Sequence, residues 1–138
     1  MFGMHRSPTA AYAQVSTDIA VETADPHRLI LMLFEGARTA IVLARAHMER
    51  GEIAEKGAAI SRAVDIVANG LAASLNVTEG GDLAERLAAL YEYIAKRLIW
   101  ANLNNNLAAL DEANALLGEL QSAWESISPS SISQAAAA

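Results

Sequence analysis

SLNVTEGGDLAERLAALYEYIAKRLIWANLNNN, residues Ser74–Asn106, holds a loop, a helix start and a long apolar stripe in one piece. Thr78 to Asp82 interrupt the pattern before them. Paired Gly80 and Gly81 cost too much backbone entropy to sit inside a helix, and the Thr and Asp oxygens suit a helix N-terminus, so a new helix is predicted to start close to Asp82. From there Leu83, Leu87, Leu90, Ile94, Leu98 and Ala101 recur at steps of four and three, which lines them along one face of a helix. Tyr91, Tyr93, Ile99 and Trp100 lie off that line. The helix thus carries more apolar and aromatic surface than one seam needs.

On the N-terminal side, Asp25-Pro26 is a helix start, because Asp can accept from the free first-turn amides and Pro at the first helical position loses no needed donor. The helix beginning there has the seam Ile30, Phe34, Ala37, Ile41, Ala44 and Met48, spaced for bundle packing, and Gly51 ends it. Leu29, Leu31, Met32, Leu33, Val42 and Leu43 fall beside or opposite the seam, as in a helix buried on several sides. A second helix runs to about Leu75 on Ile60, Val64, Val67, Leu71 and Leu75, with Glu52 and Glu55 suited to its N-terminus. Gly57 and Gly70 lower its propensity and read as points of close packing, with a binding role as the alternative. The polar run Asn102–Asn106 separates the third helix from a fourth, whose core face is Leu107, Leu110, Leu117, Leu120, Trp124 and Ile127. Asn114 stands where that pattern asks for an apolar residue, either as a buried register-setting amide or partly in water. Pro129 stops the helix.

Four helices of 20 to 25 residues joined by short loops predict an all-α protein, an antiparallel up-down four-helix bundle over 25–128. Residues 1–24 read as an N-terminal arm or short extra helix around Tyr12, either disordered or docked on the bundle, and 129–138 as a mobile tail. At 138 residues one domain suffices.

Composition removes several functions. The net charge of -6 leaves no basic face to release counterions, which argues against nucleic acid as a partner. Zero cysteines exclude disulfides and thiolate chemistry. The longest run of large apolar residues, Leu29–Phe34, is far short of the roughly 20 that cross a bilayer, and no secretory signal precedes it, so a soluble cytoplasmic protein without membrane insertion is expected. Bundle enzymes hold metals with Glu-x-x-His pairs, but Ala44 precedes His47 by three and Ala24 precedes His27 by three. Gly80-Gly81 lacks the Lys and hydroxyl of a phosphate loop. The expectation is a protein that is not an enzyme and holds no cofactor. What remains is the surplus apolar surface. With a mean hydropathy of +0.21 and only 19% charged residues, it points to a groove for another helix, the alternative being the second wall of a wide core with Tyr91 and Tyr93 covering its edge.

The pieces AYAQV at Ala11–Val15, DPHRLILMLFEGA at Asp25–Ala37, SLNVTEGGDLAERLAALYEYIAKRLIWAN at Ser74–Asn102, and Trp124 near the end of the last helix jointly resemble the flagellar secretion chaperone family FliS, from about Tyr12 to Trp124. The departure is LFEG at Leu33–Gly36, where the family usually has a Tyr and an Asp; Phe34-Glu35 keeps the apolar and acidic types. The resemblance implies a cytosolic bundle that binds the C-terminal segment of flagellin, keeps it from polymerising and presents it for type III export. An anti-sigma factor or a flagellar assembly factor are further partners it allows. The disordered client segment would fold as helices in an apolar groove. On that implication the groove is expected from Ile60, Val64, Val67 and Leu71 on the second helix with Tyr91, Ile94, Leu98, Ala101 and Asn102 on the third. Tyr12 and Val15 of the arm would occupy it when flagellin is absent. Periodicity puts each set on one face without separating core from groove. The alternative is a bundle with a structural or regulatory role that self-associates through the same patch.

Overall fold

A computed structural model describes residues 25–127, and these form four long helices with no strand among them. The arm and tail expected at 1–24 and 129–138 lie outside the described residues. Helix α1 spans Pro26–Glu49, with Asp25 Oδ1 accepting from the Arg28 amide at 2.8 Å and Pro26 at the first helical position, as the sequence requires. Gly51, at φ 70, turns the chain into α2, Ile53–Asp65. That turn adopts a left-handed conformation that glycine enters without strain.

The second helix does not continue as an α-helix to Leu75. It passes into a π-helical turn, Ile66–Leu71, and a short 3₁₀ turn, Ala72–Ser74. Helix α3 spans Val77–Asn104 with non-helical torsions at Gly81 (φ 60, ψ -141), so its long straight part starts at Asp82 as expected. Asn105, at φ 48, ends it, and Asn106 caps α4, Leu107–Glu125, by accepting from the Ala109 amide at 2.8 Å.

Cross-links between helices fix the direction of each. Along α1 and α4, His27 meets Trp124, Arg38 meets Gln121 and Asn114, and Arg45 meets Asp111. Rising numbers on one helix answer falling numbers on the other, so the two are antiparallel. Lys56 at the start of α2 reaches Asn102 and Asn105 at the end of α3. Each helix packs on its sequence neighbours, and α4 closes the ring against α1.

The core is layered, large against small. Phe34 and Ile41 of α1, Ile60, Val67 and Leu71 of the second helix, Ile94 and Leu98 of α3, and Leu110 and Leu117 of α4 are fully buried. Ala37, Ala44, Ala63, Ala101, Ala109 and Ala113 are equally sealed and fill the levels between, which lets the helix axes approach closely. Leu83 departs from its expected seam. It stands 68% exposed, while the next residue, Ala84, is the buried one of that turn. Ile127, expected on the core face of α4, is exposed beyond the end of that helix. Gly70 is a close approach: a Cβ there would stand 3.1 Å from Leu33 of α1. Gly57 is not, since a Cβ there meets nothing within 4 Å. Asn114 is partly exposed and accepts from Arg38 Nε at 2.8 Å, so it is paired rather than a bare polar atom in an apolar layer.

Tyr91, which lies off the apolar line in sequence, is buried beside Phe34 with ring centroids 6.5 Å apart, and burial pushes its hydroxyl up to about 12. The folded state therefore keeps a proton that the unfolded chain releases above pH 10, so the stability tied to this proton is whole below pH 10 and falls as pH rises from 10 towards 12. Chemical denaturation at pH 9 and pH 11 is expected to show Tyr91→Phe losing about 1 kcal/mol less than the wild type over that interval. Equal losses would mean that the hydroxyl is not held protonated by the fold.

Candidate functional site

Between α2 and α3 lies an open cleft of ≈ 430 Å³. The helices meet through Ile60 at its floor, which is sealed from solvent by the core beneath. Ser61 and Val64 of α2 with Ala68 of the π-helical turn form one wall, and Ile99, Asn102 and Leu103 the α3 wall. Two of these are large apolar side chains in water: Ile99 is 48% and Leu103 77% exposed. Small residues on one wall and long aliphatic ones on the other make a trough rather than a flat face. These two side chains stand side by side at one cleft, where an apolar partner could cover both.

The expected groove residues divide when placed in the structure. Val64 and Asn102 reach the surface and line the cleft. Ile60 forms the floor. Val67, Leu71, Ile94, Leu98 and Ala101 belong to the fully buried core, and Tyr91 is nearly so. A side chain with no accessible surface cannot touch a partner while the bundle is closed; these residues hold the walls in place. The apolar line of α3 marks the core, and the cleft lies about a quarter turn further round, at Asn102, Ile99 and Leu103. Tyr12 and Val15 lie outside the described residues.

One residue that the sequence did not single out shapes one end of the cleft. Lys56 is only 5% exposed, and its Nζ donates to the Asn102 carbonyl at 3.0 Å and to Asn105 Oδ1 at 2.6 Å. The Asn102 carbonyl is one of the last four of α3, which have no partner within the helix, and the ammonium also answers the negative end of the helix dipole. Asn102 is thereby fixed at the cleft edge. The only signal in the sequence was a lysine on the core side of an amphipathic helix.

The opposite side of α3 carries a different surface. Tyr93 donates to Glu112, Arg97 Nε donates to Glu112 Oε1 at 3.0 Å, and the Arg97 guanidinium sits 4.7 Å from the Trp100 ring centroid. The bond from Tyr93, and then Arg97, draws the Glu112 carboxyl below its ordinary range. These contacts tie α3 to α4 and occupy the aromatic surplus on that side. A smaller cleft of ≈ 250 Å³ lies near Arg38, Val42, Leu43 and Asn114. Among the described residues no three His, Cys, Asp or Glu side chains gather where a metal could sit, and no helix is long and apolar enough to cross a membrane.

Core and cleft are separable by experiment. Leu98→Asp is expected to unfold the bundle, seen as lost helicity in circular dichroism, because it puts an unpaired carboxylate among fully buried groups. Leu103→Asp is expected to leave helicity intact and shift stability by no more than about 0.5 kcal/mol. Unfolding of the second variant would put Leu103 in the core and close the cleft as a surface.

The chain matches the family described as "Flagellar protein FliS" over residues 8–131. It is 48% identical over 119 residues to the protein named "Flagellar secretion chaperone FliS" of Salmonella typhimurium, covering 86% of this chain and 88% of the relative. Identity to "Flagellar secretion chaperone FliSB" of Pseudomonas aeruginosa is 45% over 117 residues, 85% of this chain and 92% of the relative. Identity to the FliS chaperone of Escherichia coli is 39% over 126 residues, 90% and 93%. These matches take in all four helices and both cleft walls, and on that breadth the chain belongs to the FliS family.

Proposed function

We propose that this chain is a cytosolic export chaperone for flagellin. It receives the disordered C-terminal segment of a newly made subunit on the α2–α3 cleft, where the segment folds as a helix. The observation that carries this reading is the exposed trough itself, with Val64 on one wall and Ile99 and Leu103 on the other. A segment that is apolar enough to polymerise is kept from doing so when its apolar stripe is laid into such a trough. Membership of the FliS family supports the flagellar setting, since the relatives bear the name flagellar secretion chaperone. No chemical step is needed. The work is coupled folding and binding, in which the client's lost chain entropy is offset by buried apolar area.

Calorimetric titration of the chain with the C-terminal segment of a flagellin from the same cell tests the reading. One-to-one binding with a gain in helicity and a negative heat-capacity change is expected, and Leu103→Asp should weaken it by at least about tenfold, the equivalent of roughly 1.4 kcal/mol. No binding at tens of micromolar, together with a mass that rises with concentration, would instead favour a self-associating bundle.

A further inference from the structure

The cleft has a polar edge that its apolar floor does not explain. The α-helical part of α2 ends at Asp65, and the π-helical turn Ile66–Leu71 begins at once. Such a turn holds an extra residue and so rotates the residues after it relative to an unbroken helix. Asn69, four residues beyond Asp65, lies on the neighbouring turn and within its reach. Its Nδ2 donates to Asp65 Oδ1 at 2.7 Å, and both residues line the cleft.

Among the described residues Asp65 is the only charged one lining the cleft, and it is exposed. Among the described residues no basic side chain comes within ion-pair distance, and the Asn69 amide is its one partner. Glu49, Glu52, Glu92, Asp111 and Glu112 all have cationic partners within the bundle. A helix seated by its apolar stripe on Val64, Ile99 and Leu103 would set the residues flanking that stripe against this carboxylate.

We infer that Asp65, held by Asn69 on the π-helical turn, selects among apolar helices for one with a lysine or arginine beside its apolar stripe. The inference rests on the cleft being the client's seat, and it names the chemistry of the client that fits there. Charge complementarity gives the reason. A cation in that place pairs with the free carboxylate, whereas an acid is repelled in a chain already at a net charge of -6. A pair at the rim acts mainly on the rate of encounter and on the choice of partner, and it weakens as salt screens it.

The full chain and the same synthetic flagellin segment provide the test, measured as association rate and affinity at about 0.05 M and about 0.5 M salt. Asp65→Asn preserves shape at an exposed site and is expected to keep the wild-type helicity and melting temperature. Its affinity should fall about threefold to tenfold at low salt, mostly through slower association, and the deficit should vanish at high salt. Asn69→Ala should show a smaller loss of the same kind. Changing the segment's basic residues one at a time to Gln should reveal one whose loss is not additive with Asp65→Asn. Association that is unchanged in Asp65→Asn at both salt levels, or additivity at every basic position, overturns the selector while leaving the cleft as the seat. A wild-type chain that does not bind the segment overturns the seat itself.

Discussion

Lys56 is the one charged side chain among the described residues that the fold takes out of water, and the end of α3 and the turn beyond it are positioned against it. An ammonium so placed must be hydrogen-bonded or it costs several kcal/mol. Both of its recorded acceptors come from one corner of the bundle: the Asn102 carbonyl at the end of α3 and the Asn105 side chain in the turn beyond it. Asn105 has positive φ, and the next residue caps α4. One lysine on the first turn of α2 thus sets the height of α2 against α3 and fixes the hairpin that returns the chain as α4. A slide by one helical turn in either pairing would strand the charge. Apolar layers of leucine and alanine tolerate such slides far better, because they are chemically uniform.

The rest of the packing is consistent with that registration. Gly70 lets Leu33 approach, Gly36 faces Ile66, and Arg38 crosses Gly118 to reach Asn114 and Gln121. At these points a helix gives up side-chain volume where a neighbour inserts its own. Alanine does the same work more gradually through the core. A bundle with so few aromatic residues gains its close packing by bringing the backbones together.

Much of this was legible in the chain. The Asp25-Pro26 start, the turn at Gly51, the break at Gly80-Gly81 and the Asn-rich hairpin are local signals, and local chemistry decides them in the folded protein too. The seam of α1 was readable because its period is long and regular. The cleft was not. Leu98 and Leu103 are the same residue type five positions apart, and only the neighbouring helix decides that one is sealed and the other open. The π-helical turn was hidden for a related reason: apolar residues four apart, such as Val67 and Leu71, suit either helix form, so their spacing does not reveal the extra residue. Lys56 left no trace beyond its place on the wheel, since burial of a charge depends on acceptors supplied 46 and 49 residues away.

The contact between His27 and Trp124 bears on how the bundle's integrity can be observed. Imidazole Nε2 meets the Trp124 carbonyl at 2.8 Å, the indole donates to the His27 carbonyl at 3.0 Å, and the rings stack with centroids 5.5 Å apart. Its partners are 97 residues apart, so it closes a loop that contains almost every other contact between the helices. The entropy of closing a loop grows with its length, and here it is recovered only when the intervening helices have already brought the ends together. The Trp124 ring therefore reports on assembly of the bundle as a whole. Trp100, under Arg97, which is bonded to Glu112 of α4, reports on the α3–α4 pairing alone.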